Sequence, residues 1–320
     1  MIRILCKTMY KITALIAIAL ALFCGCATGR GIYPEARISI DDMKTTVAYL
    51  TSIHPPRNYE NMESLNKSAK YIYDKMAHYG LEPREQPFFV NGQRYINIVA
   101  SVGPRNAGKI VVGAHYDVSG DSPGADDNAS GIAGLLEIAR FAKKQEAELR
   151  HNIEFVAYSL EEPPFFGTKN MGSYMHAESL HKINVSVIGM ISLEMIGYFS
   201  DQEGNQNYPI GIMKLFYPDT GNFIAVVGNY GSYGFTNRVA IYMKMTSVDV
   251  ETLKAPSFIT GIDFSDHRNY WEFGYDAVMV SDTAFYRNKN YHTSGDTIET
   301  LSFDKMQEVV KGICWAIINL

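Results

Sequence analysis

The sequence predicts a single α/β domain: a mostly parallel, twisted central sheet with helices on both faces, a three-layer sandwich. Two observations carry this expectation. Short unbroken aliphatic runs, such as Ile110-Val111-Val112-Gly113-Ala114 and Ala277-Val278-Met279-Val280, alternate with longer stretches whose apolar residues recur at helical spacing. Runs without polar alternation are what strands buried on both faces require, and such burial is the mark of a parallel sheet. Composition agrees: of 320 residues, 47% are hydrophobic and 20% charged, a globular and not a disordered balance. Lys and Arg total 29 against 34 Asp and Glu, so the net charge is −5, without the basic footprint of a nucleic-acid binder.

The first residues stand apart. Arg3, Lys7 and Lys11 lead into Ile12–Phe23, an almost unbroken apolar run. It suits the core of a secretory signal, about 7–15 residues, and falls short of the roughly 20 that a spanning helix needs. The run ends in Leu22-Phe23-Cys24-Gly25-Cys26-Ala27, which resembles a bacterial lipobox with small Gly25 before Cys26. The expectation is a signal peptide over 1–25, a lipid-bearing Cys26, a tether over 26–36 and one domain over 37–320. The chain would then be exported and held by its lipid on a bacterial membrane, facing the periplasm or the exterior. Ordinary cleavage after Ala27, with a soluble product, is the alternative. Either way Cys6 and Cys24 leave with the signal. Cys314 is then expected as a packed core residue, and no internal disulfide is available.

Within the domain the elements follow in order. Helices are expected over Asp41–Ile53, led by the capping and dipole-favoured pair Asp41-Asp42, and over Met62–His78, with Leu65, Ala69, Ile72 and Met76 on one face. Strands are expected at Asn97–Ala100 and Ile110–Ala114, then a helix over Asn128–Lys144. Further strands follow at Ile153–Tyr158, Val187–Met195 and Phe223–Val227. A helix over Tyr233–Met245, a strand at Ala277–Val280 and a closing helix over Phe303–Asn319 complete the series. Phe199–Tyr217, polar and rich in Gly and Asn, reads as a surface excursion.

Ligands of open α/β sheets sit at the C-terminal ends of the strands. Here those ends carry His115-Tyr116-Asp117, Glu161-Glu162 and Glu194, with Asp126-Asp127 opening a helix and Tyr291-His292 following the last strand. Several carboxylates brought to one sheet edge repel, and burying each unpaired costs several kcal/mol. Divalent cations offset both penalties. Two imidazoles with three carboxylates suit two zinc ions about 3.5–4 Å apart, bridged by one carboxylate.

The ordered set His-x-Asp, Gly-Ala-Asp-Asp-Asn-Ala-Ser-Gly, Glu-Glu, Leu-Glu-Met-Ile-Gly, Ser-Asp-His and Tyr-His-Thr-x-x-Asp-Thr, over roughly residues 95–302, resembles the co-catalytic zinc peptidases of clan MH. These include bacterial leucyl aminopeptidases, glutamate carboxypeptidases and, more distantly, glutaminyl cyclases. The resemblance implies that Asp127 bridges two zinc ions, that His115 and Glu194 complete one site, and that Glu162 and His292 complete the other. It implies Glu161 as general base, Asp117 as the carboxylate orienting His115, Tyr291 as an oxyanion donor and a supporting role for Ser265-Asp266-His267. It also implies a cis peptide after Asp127. The reaction implied is hydrolysis of N-terminal residues from short peptides. The runners-up are a carboxypeptidase or dipeptidase, then glutaminyl cyclisation, then a binding protein without catalysis. Two features depart from the pattern: Glu194 stands where many members have aspartate, and Pro163–Thr168 lengthens the link after Glu162, which suggests an apolar wall beside the site. Asp126 reads as a helix cap and Arg287 as half of a surface salt bridge.

Overall fold

The computed structural model describes residues 32–320, so the expected signal, Cys26 and the start of the tether lie outside the described residues. Pro34–Leu320 form one compact unit. Its strands are β1 (Arg84–Val90), β2 (Gln93–Val102), β3 (Lys109–His115), β4 (Asn152–Tyr158), β5 (Val187–Glu194), β6 (Phe223–Gly228), β7 (Asp249–Lys254) and β8 (Ala277–Ser281). They make a single sheet in the order β1-β2-β4-β3-β5-β8-β6-β7. Four of its seven pairings are parallel: β3 with β4, β3 with β5, β5 with β8, and β6 with β7. The hairpin β1–β2, the pair β2–β4 and the pair β6–β8 run antiparallel.

The helices are α1 (Ile40–Thr51), α2 (Met62–His78), α3 (Gly131–Lys144), α4 (Gly172–Lys182), α5 (Tyr233–Met243), α6 (His267–Glu272) and α7 (Phe303–Asn319). Ser39 caps α1, its Oγ accepting from the Asp42 N–H at 3.0 Å. On one face of the sheet α3 is central, with α1, α2 and α7 against it and α5 against α7. On the other face α4 and α6 pack through Ala177, Leu180 and Tyr270 onto Val99, Val111, Val156 and Met190. Over β6 and β7 this second face is covered by Trp271 of α6 and by loops. There Phe223, Ala225, Val227 and Met279 meet Tyr208, Ile259 and Ile262 from two long loops. The excursion expected at Phe199–Tyr217 supplies one of them, and carries exposed Ile212, Leu215 and Phe216. Cys314 is fully buried in α7 as expected. Among the described residues no helix is long and apolar enough to cross a membrane.

Candidate metal centre

Three neighbouring parallel strands deliver side chains to one point. β3 ends on His115, β4 runs into Glu161-Glu162, and β5 ends on Glu194. Asp127 comes from the segment Ala125–Ser130, where Asp127 (φ −103, ψ 89) and Asn128 (φ −132, ψ 42) are not helical. The regular helix therefore starts at Gly131 and not at the expected Asn128. The Asp127–Asn128 peptide is cis, as the resemblance implies. His292 follows β8 on a loop, with φ 57.

The Asp127 carboxylate lies between the two imidazoles. Its Oδ1 is 3.3 Å from His115 Nε2, and its Oδ2 is 3.1 Å from His292 Nε2. Glu194 Oε2 lies 3.4 Å from His115 Nε2, and Glu162 Oε2 lies 3.1 Å from His292 Nε2. Two three-residue groups thus share Asp127. Glu161 stands beside the first, its Oε2 3.9 Å from His115 Nε2. Tyr291 stacks on His292, ring centroids 3.7 Å apart.

Neighbouring groups fix these positions. Asp117 accepts from the backbone N–H of Glu161 at 3.2 Å and of Glu162 at 3.0 Å, while its side chain is 3.6 Å from His115 Nδ1. It therefore orients the Glu161-Glu162 corner as much as the histidine. Ser265 Oγ donates to Glu194 Oε2 at 2.8 Å and accounts for its motif, whereas His267 turns away to the Ile262 carbonyl. Asp126 is not a helix cap: it accepts from Gly197 N–H and Asn288 Nδ2, tying α3 to the loops after β5 and β8. Two holders were not anticipated. Asp296 accepts from the N–H groups of Asp126 and Asp127 at 2.8 and 3.0 Å. Buried Arg57 donates to the carbonyls of Leu50, Tyr116, Pro123 and Gly124. Asp296 was visible in its motif without a role, while nothing in the sequence marks Arg57. Arg287 is a correction. It is 3% exposed and bonded to Gln206 and the Phe223 carbonyl, because the loop over β6 closes on it, so it makes no surface salt bridge.

The electrostatics call for added positive charge. Burial raises the carboxyls of Glu161, Glu194 and Glu162, the last to about 8. Burial also opposes charge on the imidazoles, but the carboxylates outweigh it: His292 rises to about 10 and His115 well above its ordinary value. Asp127 stays below the usual range despite burial because both histidines face it. Burial, then the surrounding carboxylates, push the Tyr291 hydroxyl up, so it remains a proton donor. His115 Nε2, Asp127 Oδ1, Glu162 Oε1 and His292 Nε2 are buried without hydrogen-bond partners. Imidazole nitrogens and carboxylate oxygens left unpaired at one point are a cation's ligand set, and His115, Asp127 and Glu162 offer atoms within 4.8 Å of one another.

Beside the centre, Glu194 and Tyr291 line a pocket that continues over β8, β6 and β7. Its wall includes Phe264, against which Phe166 of the lengthened link packs at 5.5 Å. The other phenylalanine of that link, Phe165, packs on Tyr59 and Tyr95 instead.

A model of Peptidase family M28 matches residues 97–317. "Uncharacterized protein YfbL" of Escherichia coli (strain K12) is 44% identical over 290 residues, 88% of each chain. "Leucine aminopeptidase 1" of Emericella nidulans is 26% identical over 296 residues, 86% of this chain and 69% of that one. Among solved structures, BSAP, a zinc aminopeptidase from Bacillus subtilis, superposes with TM-score 0.70 at 16% identity, over 88% of this chain and 95% of that one. A glutaminyl cyclase from Bacteroides thetaiotaomicron superposes with TM-score 0.68 at 17% identity, over 88% and 98%. The two structures share the fold. The family model and the 44% identical relative extend over most of the chain that builds the centre, and on that ground it belongs to peptidase family M28 and is a metallopeptidase.

Proposed function

We propose that the protein is a zinc-dependent aminopeptidase that removes N-terminal residues from short peptides. The observation that carries this reading is the pair of imidazole–carboxylate groups sharing Asp127, with Glu161 beside the first and an apolar pocket alongside. His115, Glu194 and one oxygen of Asp127 would hold one ion; His292, Glu162 and the other oxygen would hold the second. When bound, such ions supply Lewis acidity and a water of lowered pKa.

The chain's own residues do the rest. Glu161, its Oε2 3.9 Å from His115 Nε2, takes a proton from the attacking water and returns it to the leaving amine. Tyr291 keeps its proton and donates to the oxygen that gains charge in the tetrahedral state. The acidic surround favours a substrate's free α-amine. Arg57 and Arg287 are both buried, and neither presents an exposed guanidinium to a substrate carboxylate.

The test is a panel of aminoacyl-p-nitroanilides with free and N-acetylated amines, with and without chelator. Hydrolysis confined to free amines and abolished by chelation is expected. Cleavage of blocked peptides from the C-terminal end would transfer the assignment to a carboxypeptidase. Cyclisation of N-terminal glutamine by a protein holding one ion would transfer it to a cyclase. We also propose export and lipid attachment at Cys26, supported by the charged start, apolar run and Gly25-Cys26. Incorporation of a labelled fatty acid that Cys26→Ala abolishes is the expected result, and label retained in the variant would refute it.

A further inference from the structure

We propose that Glu251 directs this site toward peptides whose N-terminal residue is lysine or arginine, a substrate class that rests on the aminopeptidase reading. The strand register places it. Glu194 on β5 pairs with Ser281 on β8, Ser281 pairs with Ala225 on β6, and Ala225 pairs with Glu251 on β7. Directly paired residues point to the same face, so these four form one row across the sheet. Three strand spacings separate its ends, about 14 Å. A carboxylate of the metal centre thus stands at one end and a second carboxylate at the other. The two residues between them, Ser281 and Ala225, are small, and both line the pocket. Phe223, Val227, Met279 and Leu253 line it as well. A pocket with apolar walls accepts an aliphatic stem, and a carboxylate at its far end accepts an ammonium or guanidinium at the tip.

Glu251 has no bonded partner, although it also borders a surface hollow that Lys244 and Asp249 line. Among the described residues its carboxylate makes no hydrogen bond or ion pair. The nearby hydroxyls of Tyr208 and Tyr217 are spent on the carbonyls of Pro218 and Thr252. Burial raises the Glu251 carboxyl, with Lys244 opposing and Asp249 assisting, and neither Lys244 nor Asp249 lines the pocket. A leucine side chain in the pocket would leave this carboxylate desolvated and unpaired, whereas a cationic tip would pair with it. The plainer role for a charge on an edge strand is to discourage strand pairing. That role predicts no effect on substrate choice, and the two are therefore separable.

The experiment compares kcat/KM for lysyl-, arginyl-, norleucyl- and glutamyl-p-nitroanilide in the zinc-loaded full chain, Glu251→Gln and Glu251→Lys. Wild type is expected to favour lysyl and arginyl over norleucyl by about tenfold or more, Glu251→Gln to erase that ratio, and Glu251→Lys to favour glutamyl. A ratio near one in wild type, or one that Glu251→Gln leaves unmoved, would overturn the proposal. If no nitroanilide is hydrolysed, the aminopeptidase reading fails by itself, and calorimetry then decides on Glu251. Argininamide is expected to bind about tenfold tighter than norleucinamide, with the difference lost in Glu251→Gln. Equal binding of the two amides would overturn the proposal.

Discussion

Asp127 gives one oxygen to each imidazole, so it cannot be replaced without opening both groups, whereas Glu161 touches only the edge of one. Glu161→Gln keeps the shape and loses the proton carrier. We expect its kcat to fall by about 10²–10⁴, with the metal content of wild type. Steady-state kinetics beside elemental analysis checks this, and near-normal turnover would remove Glu161 from the role. Asp117→Ala leaves two backbone N–H groups of the Glu161-Glu162 corner without an acceptor. A loss of about 1–3 kcal/mol in stability, by denaturant unfolding, and of about 10–100-fold in zinc affinity are expected. Unchanged zinc affinity would show that Asp117 is not a positioning residue. That the eight sequence-derived candidates would meet at one point was legible because each type is costly to bury without a purpose. Arg57 was not legible, since its partners are carbonyl oxygens, which every sequence has everywhere. Arg287 was misread for the same reason: its partners are the Gln206 side chain and the Phe223 carbonyl, and not a carboxylate.

Among elements, what escaped the sequence is confined to edges and short pieces. β1 and β7 are the two outermost strands. β1 carries Arg84, Glu85, Gln86 and Pro87, and β7 carries Asp249 and Glu251. Polar edges discourage further pairing and erase the apolar run that marks a buried strand. α4 and α6, of 11 and six residues, face the sheet with few apolar side chains and gave no periodic signal. Strand direction was only partly legible: the antiparallel β6–β8 pair reads like its parallel neighbours because both strands are buried. Close approach between elements has a direct test. A Cβ on Gly189 of β5 would come 2.4 Å from the buried ring of Phe235 on α5. Gly189→Ala is expected to cost about 1–3 kcal/mol in urea unfolding. Stability equal to wild type would show that α5 can shift away from β5.

For the molecule as a whole, a second buried charge cluster lies away from the metal centre. Glu154 of β4 meets Lys109 at 2.6 Å, His176 at 3.3 Å and Ser101 Oγ at 3.0 Å. Burial would raise its carboxyl, but His176 and then Lys109 outweigh it and hold it at about 2, below the ordinary 4.5. A folded pKa below the unfolded one adds stability that is full above about pH 4.5 and is lost as pH falls toward 2. Glu154→Gln should therefore be less stable than wild type at neutral pH, by an amount on the order of 3 kcal/mol, with the gap closing between pH 4.5 and 2. Unfolding curves across that range check it, and a gap independent of pH would mean that packing and not charge is what Glu154 contributes.

Every functional statement about this chain depends on the two groups that share Asp127 each taking an ion. Elemental analysis of the purified full chain measures that directly. Two zinc ions per chain are expected in wild type and in Glu161→Gln, falling below one in Asp127→Ala. A wild-type protein that takes up no ion or only one after zinc reconstitution, or an Asp127→Ala variant that keeps both, would contradict the shared centre.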